Sequence, residues 1–137
     1  MRMLEWLRNG LSVRYRSLWT YRRGMSRATR HDHQGALEDY TTVIESNETP
    51  SELKAMALYS RALVHSAQTQ DGLASKDLEE VLNMTDAKEA VKTEAKRKIV
   101  RMQRASDKNV SQTSPNEPVS QSNADSCDRQ NVSENHD

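Results

Sequence analysis

The sequence predicts an all-α fold: a short α-solenoid of two helical hairpins plus a C-terminal capping helix, followed by a disordered tail. Three observations carry that expectation. The stretch Tyr21 to Ser46 aligns without a gap on Tyr59 to Met84 at an offset of 38 residues. Helix-start signals recur at the places that alignment requires, and the apolar residues between them fall at spacings of three and four. Self-similarity at such a period marks units that cannot bury their apolar faces alone and stack on a neighbour instead.

Taken in order, residues 1–16 form a basic N-terminal segment. Leu4, Leu7, Leu11 and Tyr15 recur there at helical spacing, so we expect a capping helix, weakened by Gly10. The repeat domain spans 17–104. Its first hairpin is expected to pair helices over 18–30 and 34–45, the second opening after Asp32, an effective N-cap. Thr49-Pro50-Ser51-Glu52 reads as a capping box, with the Thr49 hydroxyl accepting from the Glu52 N–H and Pro50 at the first helical position. A helix then runs to Ala67 with Leu58, Ala62 and His65 on one face, and the next, over 72–83, buries Ala74, Leu78, Val81 and Leu82. Asp86 with Glu89 begins a fifth helix whose narrow apolar stripe is Ala90, Ala95, Ile99 and Met102. From Ala105 to Asp137 the chain is crowded with Ser, Asn, Asp, Gln and Pro, and burial there cannot offset the entropy of ordering it.

The composition bounds the rest. With 34% hydrophobic residues and no Phe, the core is thin. Two such repeats are marginal alone, and the alternatives are a cap from the N-terminal segment, self-association, or origin in a longer array. Formal net charge is zero by cancellation: residues 1–30 carry eight Arg against Glu5 alone, residues 31–85 are acidic, 86–104 basic and the tail acidic. The single cysteine, Cys127, lies in the tail and fits a reducing compartment. No uncharged run near the N-terminus is long enough for a signal-peptide core or a membrane span, and a cytoplasmic location is expected.

At the 38-residue offset the identical pairs are Tyr21/Tyr59, Arg23/Arg61, Ala36/Ala74, Asp39/Asp77 and Val43/Val81, with Gly24/Ala62 and Ile44/Leu82 similar. Small residues at Gly24/Ala62 and Ala36/Ala74 permit close helix approach. In order and spacing, the small residue at 24 or 62, the Ala at 36 or 74, the bulky residue at 40 or 78 and the smaller one at 43 or 81 resemble the tetratricopeptide repeat family. A subset of bacterial arrays of that family looks similar, with an Arg-Gly pair as at Arg23-Gly24 and a Pro-containing insert before Lys54 to Leu58. The family unit of about 34 residues is lengthened here in the polar link Ser46 to Glu52. Where the family places an aromatic one turn after the small residue, this chain has Arg27 and His65, and Thr69 stands for a turn glycine.

The resemblance implies a non-enzymatic interaction module, a scaffold or adaptor that holds a partner peptide in a concave groove lined by the first helix of each unit. The positions so implied are Leu18, Tyr21, Met25 and Ala28, then Met56, Tyr59, Leu63 and Ser66, and in the fifth helix Glu94, Arg97, Arg101 and Arg104. Of these, Tyr21, Met25, Tyr59 and Leu63 are the expected apolar contacts. Arg97, Arg101 and Arg104, at i, i+4 and i+7, form a basic ridge suited to an acidic peptide. The carboxylate-clamp pattern of chaperone-binding members needs Lys and Asn where Tyr21 and Met25 stand, so that partner is not carried over. The alternative function is nucleic-acid or anionic-membrane-surface binding through the N-terminal arginines and their interleaved aromatics.

No catalytic constellation can be assembled from the remaining residues, and no enzyme or cofactor is expected. His31-Asp32-His33 has the look of a metal clip, but two histidines in one turn need further ligands and none is fixed nearby; no metal site is expected.

Overall fold

A computed structural model of the chain describes residues 2–112, with side chains described for residue 12 and residues 14–112. Among the described residues the secondary structure is five α-helices and no strand: α1 (Arg2–Thr29), α2 (His33–Glu45), α3 (Ser51–Ala67), α4 (Asp71–Asn83) and α5 (Glu89–Gln112). The fold is all-α, as expected. Residues 113–137, which hold Cys127 and most of the expected tail, lie outside the described residues.

Each helix packs on its neighbours in sequence, and α3 also touches α1 and α5. Two tight turns, over 30–32 and 68–70, close the pairs α1–α2 and α3–α4. The Asp32 N–H donates to the Arg27 carbonyl and the His31 N–H to that of Ala28; 38 residues on, the Gln70 N–H donates to the His65 carbonyl and the Thr69 N–H to that of Ser66. This double bond is the Schellman closure, which needs a left-handed residue at its corner. His31 (φ 64°) and Thr69 (φ 60°) occupy that corner without being glycine. Asp32 then caps α2 as expected, its carboxylate accepting from the Gly35 N–H at 3.0 Å.

Two clusters form the core. The first joins Tyr21, Ala36, Tyr40, Val43, Leu53, Ala57 and Val64, and the second joins Leu58, Ala62, Ala74, Leu78, Val81 and Ala95; Ile44 packs against both. The predicted small residues sit where the helices come closest. A Cβ on Gly24 would lie 2.9 Å from Cε1 of Tyr40 and 3.1 Å from Cβ of Asp39. In the second pair Leu78 replaces the Tyr40 ring, and Ala62 fits opposite it, fully buried.

An ion pair between a partly exposed arginine and a buried aspartate recurs inside each hairpin. Arg23 Nε donates to both Asp39 carboxylate oxygens at 3.2 and 3.0 Å, and Arg61 holds Asp77 through Nε at 2.8 Å and Nη2 at 2.7 Å. Both aspartates are buried. The hydrogen bond to its aspartate holds each guanidinium above its ordinary value, against the opposing effect of burial. The residues that take the place of an aromatic also turn to these carboxylates: Arg27 Nη1 lies 3.2 Å from Asp39 Oδ2 and His65 Nε2 4.0 Å from Asp77 Oδ2.

Four expectations need correction. Thr49 makes no capping box: α3 is capped by Pro50 without a side-chain bond, and the buried Thr49 hydroxyl pairs with that of Ser17 on α1 at 2.9 Å. The first helix does not begin near residue 18: α1 runs unbroken from Arg2 to Thr29. Regular structure does not stop at Arg104: α5 continues to Gln112, its residues 105–112 all exposed. Ala90 is exposed, and Val91 packs on the second cluster in its stead.

Candidate functional site

Between α1 and α3 the two hairpins leave an open apolar groove of about 330 Å³. Met25 and Ala28 of α1 form one wall, Leu63, Val64 and Ala67 of α3 the other, and Tyr40 and His33 of α2 lie among the lining residues. Met25 and Leu63 are repeat-equivalents, and both keep a large apolar side chain exposed, 45% and 39%. Of the expected contacts, these two are brought together.

The two tyrosines are not brought into it. Tyr21 is buried, its ring 5.8 Å from that of Tyr40 and its hydroxyl 3.1 Å from Ser60 Oγ. That bond ties α1 to α3. Tyr59 is half-buried against the second cluster, where α5 replaces α3 as the neighbour. The repeat position is the same, but residue 98, which corresponds to Ser60, is Lys and offers no hydroxyl.

Tyr40, absent from the expected site, borders the groove and is a chemically perturbed group. Burial pushes its phenol up to about 12, the charge interactions with Tyr21 and Asp39 push the same way, and a hydrogen bond with Ser60 opposes them. Nδ1 of His33 is buried with no hydrogen-bond partner among the described residues. In the sequence Tyr40 figured only as the bulky residue of the repeat pattern.

Arg97, Arg101 and Arg104 do share one face of α5, as their spacing requires. With Glu94, Lys96 and Val100 they line a shallower trough of about 500 Å³. Arg97 is paired with Glu94 at 2.6 Å. This trough is separate from the apolar groove: α5 packs on α3 and α4, and the trough is lined by α5 alone.

Among the described residues no group of three or more His, Cys, Asp or Glu is placed to hold a metal ion, and no helix is long and apolar enough to cross a membrane. Comparison of the chain with protein-family models, curated proteins and solved structures returned no match.

Proposed function

We propose that the chain is a non-enzymatic interaction module of tetratricopeptide-like build, a short solenoid that binds a partner peptide along the faces of α1, α3 and α5. The observation that carries this reading is the exposed pair Met25 and Leu63, facing one apolar groove from equivalent positions of two repeats. Isolated exposed apolar residues are ordinary, but a shared apolar concavity is the usual form of a docking site. The peptide places an apolar side chain between Met25 and Leu63. Continuing over α3, its acidic end reaches Arg101 and Arg104, where guanidinium forks grip carboxylates.

The test compares the wild-type chain with Met25→Glu/Leu63→Glu and with Arg97→Gln/Arg101→Gln/Arg104→Gln as immobilised baits, washed at low and high salt. Protein retained through high salt and lost with the glutamate pair supports the groove. The triple Gln variant is expected to weaken an identified acidic ligand at least tenfold, about 1.4 kcal/mol. Exposed Trp19 and Tyr15 on an arginine-bearing helix favour one second reading, binding to nucleic acid or an anionic membrane surface. Steep loss of retained nucleic acid with salt, indifferent to the glutamate pair, would select it.

A further inference from the structure

The 38-residue register relates three helices, not two, and it isolates one seam that α1 leaves open. In α3 the residues Leu53, Ala57, Ser60 and Val64 lie at i, i+4, i+7 and i+11. The three apolar ones are buried in the first cluster, with Leu53 at 9% and Ala57 at 0% exposed. Thirty-eight residues later the same seam of α5 is Val91, Ala95, Lys98 and Met102; Ala95 is 0% exposed, and Val91 and Met102 pack on the second cluster. Thirty-eight residues earlier the seam of α1 is Tyr15, Trp19, Arg22 and Ser26. Tyr15 is 67% and Trp19 61% exposed. The face by which α3 and α5 each seat on the preceding hairpin therefore carries, in α1, two large aromatics facing solvent.

Charge narrows the occupant. Among the described side chains of α1 there is no acid, and Arg14, Arg16 and Arg22 are exposed with no ion pair among the described residues. Arg22 lies within the seam and Arg14 and Arg16 beside it, while the Arg23 guanidinium stacks 4.7 Å over the Trp19 ring. A second copy fits poorly. The α4 surface that could continue the stack is already covered by α5 in each molecule, and two α1 seams face to face would oppose their arginines. What α3 receives at this seam is an apolar face made by Tyr21 of α1 and Ala36, Tyr40 and Val43 of α2; the arginines in and beside the α1 seam call for the same kind of face edged with acids.

We propose that the Tyr15–Trp19 seam of α1 is a second docking surface that receives an acidic amphipathic helix of another protein, prolonging the helix stack at its N-terminal end. Trp19 stands where the inner seams have alanine, so the incoming helix presents small residues opposite it and a carboxylate to Arg22. This site is distinct from the Met25–Leu63 groove and does not depend on it.

The test uses the full chain and a labelled helical peptide of alanine and leucine at i, i+4, i+7 and i+11 with glutamate elsewhere, followed by fluorescence anisotropy. A peptide of identical composition with the spacing scrambled is the comparison. The helical peptide is expected to bind at least tenfold more tightly than the scrambled one. Trp19→Ala and Arg22→Glu should each weaken it at least tenfold with helicity unchanged, and Arg22→Glu should also leave Tm unchanged because its side chain is exposed and in no ion pair among the described residues. Met25→Glu/Leu63→Glu should leave it unaltered, which separates this site from the groove. Equal binding of the scrambled peptide, indifference to Trp19→Ala, or tighter binding of a single-stranded oligonucleotide or phosphatidylserine vesicles that Trp19→Ala abolishes would overturn the proposal. So would a chain that sediments as a dimer and becomes monomeric on Trp19→Ala.

Discussion

Arg61 grips Asp77 through Nε and Nη2, and Arg23, 38 residues earlier, directs the same two atoms at Asp39. Removing one partner of such a pair leaves the other without its counter-charge, and the aspartate end of each pair is buried. Asp77→Asn is therefore expected to cost about 2 kcal/mol, measured by urea unfolding. Arg61→Leu in the same chain should recover more than half of that loss, because two neutral groups need no charge partner. A single change as mild as an exposed substitution would mean the pair is solvated in solution.

Gly24 and Gly72 make a matched contrast. A methyl at Gly72 meets nothing within 4 Å, so Gly72→Ala should stabilise by roughly 0.5 kcal/mol through helix propensity. At Gly24 the same change drives a methyl against the buried Tyr40 ring and should destabilise by about 1–2 kcal/mol despite that gain. In a Tyr40→Leu background, which copies the Leu78 arrangement, the Gly24→Ala penalty should vanish. Thermal unfolding of the four-member cycle reads the coupling directly.

The two hairpin corners store backbone strain. Thr69 is β-branched and held at φ 60°, where only glycine is at ease. Thr69→Gly should raise stability by about 0.5–1 kcal/mol after the entropy of the freer unfolded chain is counted. His31→Gly should gain less, since a single γ-branch crowds the corner less than two substituents on Cβ. Denaturant midpoints at constant slope would check both.

Tyr40 makes the fold sensitive to alkali. Its phenol keeps its proton up to about 12 when folded, while the unfolded chain releases it at the ordinary value of 10.0. Between these values the unfolded state binds fewer protons, so stability falls as pH rises from 10 toward 12 and is unaffected by this group below 10. The loss is on the order of 2 kcal/mol. Tyr40→Phe should flatten that limb of the stability–pH curve, recorded by circular dichroism.

Much of the fold was legible in the sequence because the repeat states its own alignment. Asp32 as a cap, Gly24 as the close approach and the i, i+4, i+7 ridge of α5 all follow from local spacing. What eluded it depends on contacts between units. Thr49 has every local mark of a capping residue, yet Ser17, 32 residues away, takes its hydroxyl. Tyr21 and Tyr59 are the same letter at the same repeat position, but Tyr21 meets Tyr40 and Ser60, and the residues 38 places on from these are Leu78 and Lys98. The Arg–Asp pairs were visible as identities, but only the folded hairpin brings residues 16 apart within bonding distance. The two rings of α1 that remain open look, in sequence alone, like any helical apolar spacing.

The ties between helices are distributed unevenly along the chain, and that gives the molecule a mechanical polarity. Tyr21 to Ser60 and Arg61 to Thr41 bind α3 to the first hairpin through side-chain bonds, and Ser17 to Thr49 fastens the link before it, whereas α5 rests on α3 and α4 with Ala95 as its one fully buried side chain among the described residues. Pulled by its two ends, the chain would yield α5 first and at low force, while the four helices behind it hold until the Arg–Asp clamps give way. The groove between Met25 and Leu63 would thus keep its shape while α5 peels away.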